Sequence, residues 1–254
     1  MKKGLSIIIN IVLFAIIVFL AWQVVKSIQA PIKFSKEKEN REVQIIERLI
    51  DIRNAEVFYK NANSKYTDNF DSLIAFCQTA EIPIVKIVPD PTDTTFTRTI
   101  NDTIGYLKVL DTIRKGNSIR ISNLKKALNK SEEQSLTPAE LEQLTVDINA
   151  IKWAPFSQPQ QQFELEAGTI QRNGIDVPVF EARTPYDVYL ATPGEAFTEK
   201  DWRQRVENAK EEKVKNARNP MTNEIDELSP FYRYPGLKVG SMKEASVDGN
   251  WDKL

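Results

Sequence analysis

Ser122-Asn123-Leu124-Lys125 places a hydroxyl and an amine one helical turn apart, the spacing at which a lysine can take the proton of a serine nucleophile and prepare it for acyl transfer. Lys238-Val239-Gly240 loosely echoes the lysine-bearing strand that accompanies such a serine. No Ser-Asp-Asn element lies between the two, and the surrounding chain is too short for the usual penicilloyl-binding domain. No catalytic residue is therefore assigned. Asp90, Asp93 and Asp102 could present oxygens to Ca²⁺, but they lack the glycine-centred spacing of an EF-hand and read as solvated turn carboxylates. No glycine-rich phosphate loop is present. The chain has no histidine and one cysteine, which removes the commonest general base, the commonest transition-metal ligand and any internal disulfide. Cys77, in Leu73-Ile74-Ala75-Phe76-Cys77, reads as a small buried thiol. The expectation is a non-enzyme without cofactor or metal.

The elements that carry these residues matter more than the residues. With 254 residues, 41% apolar and 27% charged, the chain is long enough for one sizeable core. Its 34 basic and 35 acidic side chains balance to −1, so no footprint for a phosphate backbone exists and nucleic acid is not an expected partner. Leu5 to Val25 is an apolar run whose only strongly polar members are Asn10 and Gln23, and at 1.5 Å per residue it spans roughly 30 Å, a bilayer's hydrocarbon thickness. A cleaved signal peptide is the competing reading; it calls for a shorter apolar run and a small-x-small site, whereas here Ile28 precedes Ala30 by two positions. Trp22 and Lys26 fit the end of an uncleaved anchor, where an indole and a snorkelling ammonium meet the lipid interface. Asn10 in the span hints at a partner helix. Lysines and Arg41 after the span outnumber Lys2 and Lys3 before it, which taken alone favours a cytoplasmic domain. Glu37, Glu39 and Glu42 are interleaved, however, and a large domain behind a signal-anchor translocates largely regardless of flanking charge. The reading places the domain outside the cytoplasm.

Pro31 should break or bend the chain. Beyond it, from Lys36 to Asn61, Val43, Ile45, Ile46, Leu49, Ile50, Ile52 and Val57 form one face of an amphipathic helix. Glu47, Arg48, Asp51 and Asn54 form the solvated face. Arg53 and Glu56 intrude on the apolar side at i, i+3, placed to pair with one another or to fix register with another subunit. The helix should end in Asn61-Ala62-Asn63-Ser64-Lys65, with a second helix starting near Asp68 or Asn69 and burying Phe70, Leu73, Ile74 and Cys77. An N-terminal span leading to an amphipathic helix with Ile52-Arg53-Asn54-Ala55-Glu56-Val57-Phe58-Tyr59, then Lys65-Tyr66-Thr67 and Leu73, resembles the first eighty or so residues of type IV pilins and type II secretion pseudopilins. The resemblance implies a hydrophobic stem whose amphipathic half carries a small antiparallel sheet. Gly4 is followed by Leu5-Ser6-Ile7-Ile8-Ile9, and the span lacks the glutamate of that family. The implied relative is one that keeps its anchor and forms no filament.

Ile82 to Val88 reads as a strand, followed by a loop, a helix over Ile104 to Ile113, a turn at Lys115-Gly116-Asn117 and a short element from Ile119 to Leu128. Thr137-Pro138-Ala139-Glu140 is a capping box that should start a helix whose buried face continues through Leu144, Ile148 and Ile151. Phe163 to Ala167, a hairpin turn at Asn173-Gly174, Ile175 to Val179 and Tyr186 to Leu190 read as a three-stranded meander, with Pro178 where its missing N–H faces solvent. Thr198 to Arg218 is a charged helix with a narrow stripe of Trp202, Val206, Ala209 and Ala217. The fold class is α+β, divided into a membrane anchor (1–30), an amphipathic stem helix (31–62) and an extracytoplasmic domain (63–254). The function expected is a single-pass subunit of the bacterial inner membrane, its C-terminal domain periplasmic, that acts as a pseudopilin-like structural subunit of an envelope secretion or surface apparatus. Its partners would be the bilayer, other envelope proteins and possible further copies of itself through Asn10, Ile46, Ile50, Arg53 and Glu56. The alternatives are a membrane-tethered ligand-binding module or sensor and an anchored hydrolase.

Overall fold

In the computed structural model, which describes residues 2–89 and 99–251 and the side chains of 11–88 and 102–251, anchor and stem are one element. Helix α1 runs Lys2–Asn63, 62 residues, about 90 Å at 1.5 Å per residue. Pro31 lies inside it, so of the expected break or bend the break does not occur. Proline removes one hydrogen bond to the carbonyl four residues earlier; that residue, Ser27, is exposed and its carbonyl can turn to solvent.

Among the described side chains of α1, the rest of the chain covers the distal half, from Phe34 onward. Ile45, Leu49, Ile50 and Ile52 are buried, Ile46 packs partly buried against the core, and Val43 is exposed. Asp51, expected on a solvated face, is buried, and so are Arg41 and Glu56. The reason is that α1 is flanked by elements on several sides rather than resting one stripe on a layer. Helix α2 (Phe70–Thr79) is capped by Asn69 and buries Phe70, Leu73, Ile74 and Cys77 as its periodicity requires.

Strands β1 (Glu81–Pro89) and β2 (Thr99–Lys108) form an antiparallel two-stranded sheet. The helix expected from Ile104 starts only at Val109, as α3 (Val109–Lys115). Gly105, Tyr106 and Leu107 pair with Ile84, Pro83 and Ile82, so cross-strand pairing overrides the local pattern. Asn117 caps α4 (Ser118–Ala127). The capping box at Thr137 forms, yet α5 (Pro138–Leu141) is a single turn, which corrects the longer helix. β-branched Thr145 and Val146 follow, and Asp147 caps a new 3₁₀ turn over Ile148–Ala150. Leu144, Ile148 and Ile151 are buried all the same.

A three-stranded antiparallel sheet has the order β3 (Glu164–Arg172), β4 (Ile175–Pro185), β5 (Gly236–Gly240). Asn173 and Gly174 join β3 to β4 with φ of 53° and 79°, the left-handed pair a tight hairpin demands. The third strand is not Tyr186–Leu190. Pro185 instead opens the short helix α6 (Tyr186–Tyr189), which turns Tyr186, Val188 and Tyr189 into the core. The place is filled by β5, whose Gly240, at φ 76°, passes so close to Phe180 that a Cβ would collide with its carbonyl. Pro178 pairs with Thr169 outside the stretch Glu181–Pro185 that β5 covers, so its missing N–H faces no strand. Helix α7 (Glu199–Val214) buries Trp202, Val206 and Val214. The described chain is thus α+β, with a long N-terminal apolar helix, shorter helices and antiparallel sheets.

Candidate functional site

From Ile11 to Ile32 every large apolar side chain is exposed, Phe14 at 69%. Among the described residues this is the one helix long and apolar enough to cross a membrane, and its most apolar stretch is uncovered by the rest of the chain. Lys26 holds its ammonium 5.6 Å from the centre of the Trp22 ring, a cation–π contact at the end of the apolar run. The backbone of Asn10 is part of α1; its side chain lies outside the described residues.

The domain grips α1 through polar contacts that join it to distant chain segments. Arg41 donates from Nη1 to the carbonyls of Tyr189 (3.2 Å) and Thr192 (2.9 Å) and from Nε to Glu37 (2.9 Å). Its guanidinium also lies 5.0 Å from the Trp202 ring centre. Phe34 packs edge to face on both Phe197 and Trp202, whose rings are tilted against one another, and the Trp202 indole donates to Leu190 O at 2.6 Å. Lower on the helix, buried Asp51 takes Arg120 Nη2 at 2.6 Å and Asn117 Nδ2 at 2.8 Å, while Asn117 also donates to Glu47 O. Burial pushes the Asp51 carboxyl up, and the Arg120 guanidinium and Asn117 amide pull against it.

Glu56 does not pair with Arg53. Its Oε2 accepts the Thr67 N–H at 3.1 Å and its buried Oε1 has no hydrogen-bond partner. Burial, opposed by the Thr67 N–H and reinforced by Asp68, raises its pKa to about 8. The same environment raises Cys77 to about 12, so the thiol stays protonated and unreactive. Of the stem residues expected to meet another subunit, Ile50 and Glu56 are buried in the domain, Ile46 packs partly buried against its core and Arg53 is half-buried.

A second uncovered surface was not apparent from the sequence. On the β1–β2 sheet, Ile84, Val85, Ile87, Ile104, Tyr106 and Leu107 are exposed, Ile87 at 67% and Tyr106 at 66%. Successive residues of a strand face opposite ways, so Tyr106 and Leu107 put apolar surface on both faces. The alternating β-branched residues announced a strand; nothing local announced that no layer would cover it.

The serine and lysine of the S-x-x-K pattern both bind Glu132, Ser122 Oγ to its carboxylate at 2.7 Å and Lys125 Nζ to its carbonyl at 2.6 Å. Lys238 pairs with Glu181 at 2.8 Å. Asp102 is exposed on β2, Asp90 and Asp93 lie outside the described residues, and no acidic or thiol cluster suited to a metal occurs among the described residues. A crevice of about 530 Å³ between residues 228–234 and the β5 end contains Tyr232, Lys238 and Lys243, but Lys238 is held by Glu181 and Lys243 by Glu227 O. The chain matches no family model, no curated protein and no solved structure.

Proposed function

We propose that this chain is a single-pass membrane protein, its α+β domain outside the cytoplasm, that serves as a structural subunit of an envelope assembly in the manner of a pseudopilin. The observation that carries the reading is the exposed apolar surface from Ile11 to Ile32 on a helix that continues unbroken into the domain core. Such a surface is costly in water and favourable in lipid. A long helix with an apolar proximal half and an antiparallel sheet packed on its distal half is also the layout implied by the pseudopilin resemblance.

Assembly is supported by the β1–β2 arm. A two-stranded sheet is marginal on its own, and this one displays apolar side chains on both faces and open strand edges. The arm replaces the stem face as the proposed contact with neighbouring subunits, because Ile50 is sequestered in the core. Ligand binding is less well supported: of the cations that line the 530 Å³ crevice, Lys238, Lys243 and Arg233 already have partners.

The test uses full-length protein in membranes. It should stay in the pellet after alkaline carbonate extraction. Because Cys77 is buried, cysteines placed at Ile87 or Tyr106 should give crosslinked multimers of this chain or with a partner subunit. Ile87→Lys with Tyr106→Lys should abolish multimers of native-fold protein. Release by carbonate, or multimers unaffected by the double lysine variant, would overturn the reading.

A further inference from the structure

We infer that the crevice between α1 and the start of α7 binds the phosphate headgroup of an anionic lipid, an inference that rests on the membrane reading above. The crevice, about 440 Å³, is lined by Trp22, Lys26, Lys33, Phe197, Asp201 and Arg205. Its three cations make no ion pair among the described residues. Lys26 lies over Trp22, and Arg205 lies with its guanidinium 5.6 Å from the Phe197 ring centre, its buried Nε without a hydrogen-bond acceptor. The one carboxylate present, Asp201, is engaged by the Thr198 hydroxyl at 2.9 Å. Of the other cations on this stretch of α1, Arg41 pairs with Glu37 and Lys38 with Glu42, and Lys36 is exposed outside the crevice.

Depth selects the ligand. The apolar run ends at Val25, so Lys26 begins the headgroup layer and the Lys33 backbone stands about 10 Å above it. Helical side chains lean toward the N-terminus, which brings the Lys33 ammonium back down toward the lipid. Arg205 reaches the same space from the domain side, with the forked donors that suit a phosphate. Trp22 supplies an interfacial ring for the glycerol region.

The experiment is native mass spectrometry of full-length protein in neutral detergent, titrated with phosphatidylglycerol and, separately, phosphatidylcholine. Wild type should prefer phosphatidylglycerol, and each of Lys26→Gln, Lys33→Gln and Arg205→Gln should reduce that preference roughly five-fold. Salt near 0.5 M should also reduce it, a measurement that requires no variant. Equal binding of the two lipids, indifference to the variants or to salt, or displacement of bound lipid by equimolar inorganic phosphate would overturn the assignment. Carbonate extraction separates the two possible failures. A chain that stays in the pellet but shows no lipid preference loses only this inference, whereas a chain released by carbonate loses the membrane reading and this one with it.

Discussion

Glu56 is where sequence reading and structure part most clearly. An acidic residue at i+3 from an arginine reads as an ion pair, because helix periodicity gives direction along one wheel and says nothing about what arrives from residues 66–68. In the fold it is buried against the Thr67 amide, with a pKa of about 8. A carboxyl whose folded pKa exceeds its unfolded value holds its proton more tightly in the native state, so its contribution is full below pH 4.5 and is lost as pH rises toward 8. Thermal unfolding of the detergent-solubilised full chain should show a midpoint that falls across this window, by a few kcal/mol in stability. Glu56→Gln keeps an oxygen for Thr67 and should flatten the dependence. Asp51 is also pushed up by burial but, unlike Glu56, is tied to a cation, Arg120, and to the Asn117 amide. Asp51→Ala strands a guanidinium and an amide and should cost about 3 kcal/mol in chemical denaturation. Asp51 was not legible as buried because the helical wheel put it on the solvated face, whereas Glu56 was placed on the apolar side but with Arg53 as its partner.

Elements set by local chemistry were readable: the start of α2 near Asp68 or Asn69 and its buried stripe, the Thr137 capping box and the Asn173-Gly174 turn. Elements decided by a distant partner were not. The segment at Ile104–Lys108 follows its pairing with β1, and β5 fills a strand position some fifty residues beyond β4 in the sequence. Pro31 misled because its usual effect on a helix depends on whether the freed carbonyl can reach water. Spin labels at Leu20 and Val43, both exposed, should lie about 35 Å apart with a narrow distribution if α1 is continuous; a shorter or broad distribution would indicate a hinge. Gly240→Ala combines a left-handed φ with a collision against the Phe180 carbonyl and should destabilise by more than about 1 kcal/mol, read as a lower thermal midpoint.

At the scale of the whole molecule, the α+β class and the apolar N-terminal helix were both legible from hydropathy and periodicity. How the two are joined was not. The first buried side chain along the described part of α1 is Phe34, so a fragment beginning at Ile32 should keep native circular dichroism and lose membrane association. Its unfolding midpoint should stay within a few degrees of that of the full chain. The uninterrupted α1 also makes the protein a rigid mast. Some 38 residues separate Val25 from the end of α1 at Asn63, a lever of roughly 57 Å, and the 20° lean common for helices in bilayers would carry its tip roughly 20 Å sideways. A thinner or thicker bilayer, by resetting that lean, would change the heading of the hairpin arm, the surface proposed to contact neighbouring subunits, without any rearrangement inside the domain.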